Sequence, residues 1–387
     1  MPANSHVLFA GGGAAGHLFP GLAVAEHLQR RAPKTMITFA GSGKVRERHI
    51  VRNAGYHYTM IPAQPTPHSP IQALRFLTDN AMGYCAARWM LREQRVSMVV
   101  GLGGYTSSAV VRSAVARGIP VVLLEQNAIP GRTTRWLSRS AALVCAAFDE
   151  VRPHLHVQAP VTVTGNPSRP AFEKLYAQMN RRSGASKARF SEENNGRRKR
   201  LVILGGAGGA RSLNENMPKA LSKLKDQIAD WQIVHQTGEG QLQATEARYE
   251  SAGVSALAVT FIDEIASVLF ESDLVVCRAG GTTLAELALA NVPALLVPYP
   301  QAVDNHQIAN AKVFTAAGAS RMIDESSQGG ALNSALSREL SPLLSDLELR
   351  GRMAGKMQEL ARPQAASEIA GSICDHLSGS LAPRVAA

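Results

Sequence analysis

The sequence lacks the features that mark several classes of protein. Its four cysteines form no C-x-x-C pair, so their spacing favours neither a zinc site nor a disulfide framework. The longest uncharged stretch, residues 287–303, contains three prolines and an asparagine, whereas a membrane-spanning helix needs about 20 mostly apolar residues. Aromatic residues make up only 5% of the chain, which is few for a protein that stacks nucleic-acid bases.

The start of the chain, MPANSHVLFAGGG, also lacks a basic segment ahead of its apolar residues. A secretory signal peptide begins with such a segment. We therefore predict that these apolar residues form a first β-strand. Because the cysteines are scattered, we expect the protein to work in a reducing compartment.

The sequence does contain enough apolar residues for two packed domains. Of its 387 residues, 45% are hydrophobic and 18% are charged, as in an ordinary globular protein. Lysine and arginine total 41 against 30 aspartate and glutamate residues, which gives a net charge of +11. A basic chain favours anionic partners such as nucleic acid, an acidic lipid surface or phosphorylated small molecules. Charge alone does not choose among them.

Both halves of the chain begin in the same way. An apolar strand at residues 6–10 leads into a glycine-rich turn at 11–16 and then a helical pattern from Leu18 towards Leu28. The second half restarts at Leu201 with LVILGGAGGARSLNENM. Apolar runs alternate with helical stretches after both starts, which predicts parallel sheets covered by helices on both faces. We expect ligands at the carboxyl ends of the strands, in a cleft between the halves.

A polar segment, Arg181 to Arg200, separates the halves and contains eight lysines or arginines against two glutamates. The pattern predicts domains at residues 1–168 and 201–355, a basic linker region at 169–200 and a helical tail at 356–387.

The first glycine-rich turn matches the spacing of a dinucleotide fingerprint, Gly11-x-Gly13-x-x-Gly16. A dinucleotide site also needs an acidic residue about 20 positions further on, at the end of the second strand. The predicted second strand, MITFAGSGK, has none. This disfavours NAD and leaves open a phosphate or sugar contact at the start of the helix.

The segment DLVVCRAGGTTLAELALA combines a strand at residues 273–278 with Gly280 and Gly281 and a following helix. Helix-start amides suit a diphosphate, and Glu286 could accept hydrogen bonds from hydroxyl groups. The alternative is that Thr283-x-x-Glu286 is a capping box. No Asp-x-Asp motif that would bring a divalent cation to a nucleotide occurs, so the leaving charge would fall to helix starts and Arg or Gln side chains.

A third loop, GLGGYTSS at residues 101–108, adds amides and hydroxyls after another apolar strand. His17 closes the first glycine-rich turn, where a near-neutral imidazole could remove a proton from a hydroxyl group. Alternative roles for His17 are to position a diphosphate or to cap the helix. His154 and His156 have no third metal ligand nearby in sequence and are interpreted as a surface loop.

Together these segments resemble the MurG family, bacterial transferases that add N-acetylglucosamine to the lipid-linked muramoyl-pentapeptide precursor of peptidoglycan. The resemblance spans most of the chain. It rests on GGGAAGHLFPGLAVAEHL, GLGGYTSS, GIPVVLLEQNAIPGRTTRWLSR, TGNPSRP, LGGAGGARSLNENMP, HQTGEG, FIDEI, CRAGGTTLAELALANVPALLVPYP and DNHQ.

The resemblance implies an α/β fold of the GT-B type, with two Rossmann-like domains whose parallel sheets face a central cleft. The N-terminal domain would bind the acceptor and the membrane, and the C-terminal domain would hold the UDP-sugar. The implied donor-binding residues are Ala14, Ala15, Gly16, Asn127, Arg169, Ala207, Ile262, Gly281, Thr282, Thr283, Leu284, Ala285, Glu286 and Gln307. Glu286 would hold the ribose, and His17 matches the family's histidine. The implied acceptor-binding residues are Gly103, Gly104 and Tyr105.

The sequence departs from the family pattern in both glycine-rich turns. Ala14-Ala15 stands where the family has Thr-Gly, and Ala207-Gly208 stands where it has Ser-Gln. A side-chain hydrogen bond contributes about 1 kcal/mol net, so each loss would weaken donor binding roughly fivefold unless backbone amides or water substitute.

The implied reaction is an inverting transfer from UDP-N-acetylglucosamine to the C4 hydroxyl of undecaprenyl-diphospho-N-acetylmuramoyl-pentapeptide, without a metal or cofactor. Its polyprenyl chain implies a peripheral enzyme on the cytoplasmic face of the bacterial plasma membrane, in contact with anionic lipids. Residues 70–95 suit an interfacial helix. They mix Ile71, Leu74, Phe76, Leu77, Trp89 and Met90 with Arg75, Arg88, Arg92 and Arg95. An ordinary amphipathic core helix is the alternative.

Three other functions are compatible with parts of the sequence. A diacylglycerol glycosyltransferase would share the fold and the membrane, although EQNAIPGRTTR favours the peptidoglycan enzyme. A UDP-sugar 2-epimerase would need no lipid. A nucleic-acid-binding protein would explain the basic charge but leaves three glycine loops at strand ends without a role, so we expect no nucleic-acid partner.

Overall fold

A computed structural model of the chain describes residues 5–12, 15–65, 70–181, 190, 198–206 and 208–379, with the side chains of residues 15 and 70–74 excepted. The predicted donor residues Ala14 and Ala207 lie outside the described residues, as does most of the basic segment between Arg181 and Arg200. The chain divides into two compact units. The first unit comprises Met1–Arg169 and Arg362–Ala387, and the second comprises Pro170–Ala361.

The first unit contains a parallel sheet with helices on both faces. Its strands are β1 (His6–Gly11), β2 (Met36–Gly41), β3 (His57–Met60), β4 (Met98–Gly103), β5 (Val121–Glu125), β6 (Leu143–Ala146) and β7 (Val161–Val163). Its helices up to the second unit are α1 (Ala15–Arg31), α2 (Val45–Asn53), α3 (Pro70–Glu93), α4 (Tyr105–Val115) and α5 (Arg132–Leu137). Short 3-10 helices follow at Ser138–Ser140 and Asp149–His154.

The second unit repeats this plan. Its strands are β8 (Lys199–Leu204), β9 (Trp231–Gln236), β10 (Leu257–Val259), β11 (Leu274–Cys277), β12 (Ala294–Leu296) and β13 (Ser320–Met322). Its helices are α6 (Pro170–Arg181), α7 (Arg211–Ser222), α8 (Leu242–Ala252), α9 (Ile265–Phe270), α10 (Gly281–Ala290), α11 (His306–Ala316), α12 (Leu332–Ser345) and α13 (Leu347–Glu359). Short 3-10 helices occur at Val303–Asn305 and Glu325–Ser327, and the final helix, α14 (Ala365–Leu377), returns to the first unit.

The two sheets share one strand order. Within the described residues the first sheet is ordered β3-β2-β1-β4-β5-β6-β7 and the second β10-β9-β8-β11-β12-β13. Neighbouring strands are parallel in both. The reversal beside the first strand of each unit is the topological switch point of a Rossmann-like sheet, where ligands bind outside the strand ends. The predicted fold of two Rossmann-like parallel-sheet domains is confirmed.

The pleat of β1 explains why helices cover both faces of the first sheet. Val7 and Phe9 are buried in a cluster with residues of α1 and α14, whereas Leu8 and Ala10 are buried with residues of α3 and α4. Successive strand residues point to opposite faces, so a strand that is apolar throughout must be covered on both sides. The ring of Phe9 also stacks on that of Phe39 in β2, with centroids 4.9 Å apart.

The structural boundaries differ from the predicted ones at two places. Helix α6 falls within the segment predicted as a linker, but its Phe172 is fully buried and contacts Phe270 of α9, so the helix belongs to the second unit. The predicted tail boundary at residue 356 falls inside α13, which belongs to the second unit, whereas Ile369 and Ile373 of α14 enter the core of the first unit. In both cases the helix belongs to the unit in which it buries its apolar side chains, against residues distant in sequence.

Among the described helices, none is long and apolar enough to span a membrane. Helix α3 has a mixed surface instead. Its Met90 is buried in the core, whereas Leu77 and Trp89 are 64% and 68% exposed. Arg88 and Arg92 are also exposed. The helix therefore has both a core face and exposed apolar residues among arginines; the side chains of Ile71 and Leu74 lie outside the description.

Candidate functional site

Three strand ends converge around His17 in the first unit. His17 lies in the first turn of α1, six residues after the end of β1, and Gly16 beside it is exposed. The imidazole Nδ1 of His17 lies 2.9 Å from Oε1 of Gln126, which follows β5. The ring also packs against the end of β4, where a Cβ added to Gly103 would lie 3.2 Å from Nδ1. The half-buried imidazole therefore occupies a fixed position at the switch point.

The predicted acceptor loop joins β4 to α4 through two glycines. Gly103 and Gly104 have φ angles of +92° and +77°, a conformation that side chains rarely adopt. A Cβ on Gly104 would also lie 2.9 Å from the carbonyl oxygen of Gly12. Two glycine loops therefore touch through their backbones, and Tyr105 begins α4 beside them, half-buried.

The loop after β5 is organised by a buried carboxylate. Glu125 accepts hydrogen bonds from the backbone amide of Asn127 at 3.1 Å, from its side-chain amide at 3.2 Å and from the amide of Gly131 at 3.2 Å. These contacts fix the half-buried Asn127, which the resemblance assigns to the donor sugar. Neither Glu125 nor Gln126 was predicted as a site residue from the sequence. The available signal was a polar pair, Glu125 and Gln126, directly after the apolar run VVLL.

In the second unit, helix α10 begins at Gly281, with Gly280 as its N-cap. Thr283 is therefore the third residue of the helix, and the capping-box alternative, which needs a threonine at the N-cap, is wrong. Thr282, Thr283 and Ala285 are half-buried, and Gly281, Leu284 and Glu286 are buried. The Leu284 amide donates to Gly280 O at 3.0 Å as a helical hydrogen bond, and no side chain caps the start of the helix.

Side chains of α11 hold the loop that precedes α10. Gln307 accepts through Oε1 from the amides of Ala279 at 3.2 Å and Tyr299 at 3.0 Å. Asn310, fully buried, donates from Nδ2 to Ala279 O at 3.1 Å. The structure thus brings the predicted Gln307 together with the predicted helix start. Asn310 was missed because nothing in its local sequence distinguishes it from other polar helix residues.

Arg278, which also was not predicted, fixes the end of β11. Its Nη1 donates to the carbonyl oxygens of Val297 and Pro298 at 2.9 and 3.2 Å and to Oε2 of Glu325 at 2.6 Å. Its Nη2 donates to Oγ of Ser212 at 2.9 Å. Arg278 therefore links the end of β11 to the residues that follow β12, beside the loop that precedes α10.

The second glycine-rich turn, between β8 and α7, is held by close backbone contact. Gly209 has a φ of +75°, and a Cβ there would lie 2.2 Å from the carbonyl oxygen of Thr237 after β9. Asn214 of α7 donates to the same oxygen at 2.9 Å. Only glycine fits this position, which explains part of the GGAGG pattern.

Two further predicted donor residues lie apart from these loops in sequence. Ile262 is half-buried in the connection between β10 and α9. Arg169 ends the first unit, with its guanidinium 5.3 Å from the centroid of the Phe19 ring. Ala15 begins α1.

His154 ends a 3-10 helix and His156 follows it, and both are exposed.

An apolar groove lies beside the acceptor loop, between α3, α4 and α5. It encloses about 720 Å³, and its walls include Phe76, Leu77, Tyr84, Tyr105 and Trp136. The guanidinium of Arg112 also lines it and stacks over Trp136, 5.0 Å from the ring centroid. The groove therefore combines apolar walls with a fixed positive charge.

The four cysteines, Cys85, Cys145, Cys277 and Cys374, are all free thiols. Burial raises the pKa of both Cys145 and Cys277 to about 12, whereas Cys85 is exposed in the groove. No three His, Cys, Asp or Glu side chains of the described part of the chain lie together as metal ligands would.

Comparisons with known proteins agree with this architecture. Residues 7–145 match the glycosyltransferase family 28 N-terminal domain, and residues 200–367 match the glycosyltransferase family 28 C-terminal domain. The UDP-N-acetylglucosamine–N-acetylmuramyl-(pentapeptide) pyrophosphoryl-undecaprenol N-acetylglucosamine transferase of Myxococcus xanthus is 36% identical over 365 residues, 94% of this chain and 91% of the relative. The transferase of the same name from Anaeromyxobacter dehalogenans is 37% identical over 372 residues, 96% of this chain and 92% of the relative.

A solved structure supports the same assignment. The crystal structure of MurG from Acinetobacter baumannii is 29% identical, with a TM-score of 0.73, and the match covers 96% of this chain and 99% of that one. The two Rossmann-like units, both family domains and the near full-length relatives lead to one conclusion. The chain belongs to glycosyltransferase family 28 and, within it, to the MurG family of GT-B transferases.

Proposed function

We propose that this chain transfers N-acetylglucosamine from UDP-N-acetylglucosamine to the C4 hydroxyl of undecaprenyl-diphospho-N-acetylmuramoyl-pentapeptide, a step of peptidoglycan synthesis. The observation that carries this proposal is the near full-length similarity to transferases with that name, at 36–37% identity. The geometry of the described loops supplies suitable groups for both substrates.

The donor half is supported by the start of α10. A helix N-terminus carries roughly half a positive charge and directs its first amides outward, so it suits the diphosphate of UDP. Gly280 at the N-cap has no side chain to occupy those amides, and Gln307 and Asn310 hold the preceding loop. Glu286, one turn into the helix, would accept hydrogen bonds from the ribose hydroxyls.

The acceptor half is supported by the first unit. We assign the muramoyl residue and its diphosphate to the glycine loop Gly103–Tyr105 and the base role to His17. In this mechanism the C4 oxygen bonds to the anomeric carbon as the bond from that carbon to UDP breaks. The C4 proton passes to His17 Nε2, UDP leaves with the bonding electrons, and inversion gives a β linkage. The α10 amides would stabilise the departing diphosphate.

The groove between α3, α4 and α5 supports a membrane-borne acceptor. Its apolar walls adjoin Tyr105 of the acceptor loop, and Arg112 offers a cation beside them. A polyprenyl diphosphate has the matching chemistry, an apolar chain attached to an anionic group. Exposed Leu77 and Trp89 support peripheral attachment to anionic lipids, which we propose lie at the cytoplasmic face of the plasma membrane.

Purified protein incubated with labelled UDP-N-acetylglucosamine and the lipid-linked muramoyl-pentapeptide tests the reaction. We expect a β-linked disaccharide product and one UDP released for each sugar transferred. His17→Ala should lower kcat by about 100-fold or more if the imidazole is the base. An effect mainly on KM would assign His17 to binding instead.

Two controls address the alternatives. Diacylglycerol offered as acceptor should receive no label, and UDP should raise the melting temperature whereas an oligonucleotide at physiological salt should not. Transfer to diacylglycerol but not to the muramoyl lipid would overturn the proposal. Stabilisation by the oligonucleotide alone would overturn it in favour of a nucleic-acid-binding protein.

Membrane attachment has its own test in sedimentation with vesicles containing anionic lipid. Replacing Leu77 and Trp89 with glutamine should reduce binding. The same change at Leu257 of β10, which is 57% exposed in the second unit, is the matched control and should not. Equal binding by all three proteins would reject α3 as the attachment surface.

A further inference from the structure

We propose that Gln126 is a positioning residue that fixes the tautomer of His17, so that Nδ1 carries the proton and Nε2 presents its lone pair to the acceptor hydroxyl. The mechanistic part of this inference rests on the proposed base role of His17. The tautomer itself follows from hydrogen-bond geometry in the first unit alone.

The orientation of the Gln126 amide is determined by two backbone carbonyls. Its Nε2 lies 3.4 Å from Leu102 O at the end of β4 and 3.4 Å from Leu124 O in β5. Carbonyl oxygens can only accept, so the amide NH2 group must face them. The reversed amide would bring its oxygen against two other oxygens at a residue only 4% exposed. Leaving a buried polar group without a partner is unfavourable, so the reversed amide is excluded.

This orientation points Oε1 of Gln126 at His17. The distance from Oε1 to Nδ1 is 2.9 Å, which is a good hydrogen bond. An amide oxygen cannot donate, so the neutral imidazole must donate from Nδ1. In the neutral ring the other nitrogen, Nε2, is then unprotonated and able to accept a proton.

The surrounding backbone makes this arrangement rigid. β4 and β5 are adjacent parallel strands, paired from Val99 with Val121 to Gly101 with Leu123. The carbonyls that orient Gln126 therefore belong to two strands of one sheet. Gly103 lets the imidazole lie against β4, because a Cβ there would come within 3.2 Å of Nδ1 and 3.3 Å of Cε1.

The tautomer matters for the proposed proton transfer. An imidazole protonated on Nε2 would present a donor to the acceptor hydroxyl and could not take its proton through that atom. When Nε2 accepts the proton of the C4 hydroxyl, the imidazolium donates from both nitrogens, and Oε1 of Gln126 keeps its hydrogen bond to Nδ1–H. Gln126 therefore supports both protonation states of the transfer without changing its position.

Nitrogen NMR of the full-length protein labelled with 15N-histidine tests the tautomer directly. The His17 signals are assigned by their loss in His17→Ala. We expect the protonated nitrogen to be Nδ1, and in Gln126→Leu we expect a shift of the population towards the Nε2–H form. A wild-type ring protonated at Nε2, or an Nδ1–H tautomer unchanged in Gln126→Leu, would overturn the inference.

Kinetics of two substitutions test its consequence. Gln126→Leu removes the acceptor for Nδ1 and should lower kcat about 10- to 100-fold with the donor KM changed less than about twofold. Gln126→Glu keeps an oxygen facing Nδ1 but replaces the NH2 group that faces Leu102 O and Leu124 O, so it should recover part of kcat at a lower melting temperature. A kcat as low in Gln126→Glu as in Gln126→Leu would reject the positioning role. If Gln126→Leu does not fold, the wild-type spectrum still decides the tautomer.

The design separates this inference from the proposed function. If His17→Ala leaves kcat unchanged, the base assignment fails, and the spectra still show whether Gln126 sets the tautomer. If His17→Ala is inactive but the wild-type ring is protonated at Nε2, the positioning role of Gln126 fails. His17 could then not take the C4 proton directly through Nε2.

Discussion

Arg278 and Glu325 form a partly buried ion pair, with Nη1 2.6 Å from Oε2 and side chains that are 14% and 18% exposed. Arg278 follows β11, and Glu325 begins the 3-10 helix after β13. Ser212 of α7 joins them, since its hydroxyl donates to Glu325 and accepts from Arg278. The pair therefore fastens the strand end that carries the proposed donor loop to two other elements of the second unit.

Arg278→Met should destabilise the protein by about 3 kcal/mol, because it leaves a partly buried carboxylate and several carbonyls without their donor. Glu325→Gln should cost less. Urea unfolding measures both changes, and the double variant should lose less than the sum. As a control, Arg211→Met breaks the exposed pair with Glu215 and should leave the unfolding midpoint unchanged. Similar losses at both sites would contradict a special role for the buried pair.

Glu286→Ala should raise the KM for UDP-N-acetylglucosamine by about 10-fold or more, since hydrogen bonds to a charged group contribute roughly 1.5–3 kcal/mol each. Glu286→Gln should fall between this variant and the wild type. Steady-state kinetics with an unchanged melting temperature provide the measurement. Glu246→Ala, on the exposed side of α8, is the control with normal kinetics expected. An unaltered donor KM in Glu286→Ala would remove Glu286 from the site.

His235 should make the protein less stable in mild acid. It is fully buried in β9 beside the Tyr249 hydroxyl, and burial lowers its pKa from 6.5 to about 3. The unfolded chain takes up this proton near pH 6.5 and the folded chain does not, so stability falls as the pH decreases from 6.5 towards 3. Between pH 7 and pH 5 this group alone contributes a loss of about 2 kcal/mol.

The comparison with His235→Asn isolates that contribution, because asparagine does not titrate but can keep a polar contact to Tyr249. Unfolding free energies at pH 7 and pH 5 should differ by about 2 kcal/mol less in the variant than in the wild type. Identical pH dependence in the two proteins would show that His235 is protonated equally in both states.

Cys85 should report occupancy of the groove between α3, α4 and α5, which it lines. In the folded protein a maleimide should modify exposed Cys85, whereas Cys145 and Cys277 should react only after unfolding because burial raises their pKa to about 12. Adding the polyprenyl-linked acceptor should slow modification of Cys85 about 10-fold. Cys374 on α14 is the internal control, and mass spectrometry follows each site. An unchanged Cys85 rate at saturating acceptor would place the lipid elsewhere.

The local pattern was sufficient for the repeated strand, glycine turn and helix units. The apolar run of β1 and the glycines after it predict a strand and a turn because each depends on neighbouring residues only. The strand before Gly280 was predicted from its neighbouring residues in the same way. The choice between a capping box and an open helix start was not local. In the structure Gly280, rather than Thr283, is the N-cap, and side chains of α11 from far along the chain hold the loop before it.

Periodicity, glycine spacing and an ordered set of motifs were thus enough to predict the class of fold, the number of Rossmann-like repeats and the family. Which strand ends meet depends instead on contacts between residues far apart in the chain. The contact between His17 and Gln126 spans 109 positions, and that between Arg278 and Glu325 spans 47. Such pairs are set by strand order and by burial of distant apolar residues, as when α14 returns to the first unit, and no local pattern in the chain encodes them.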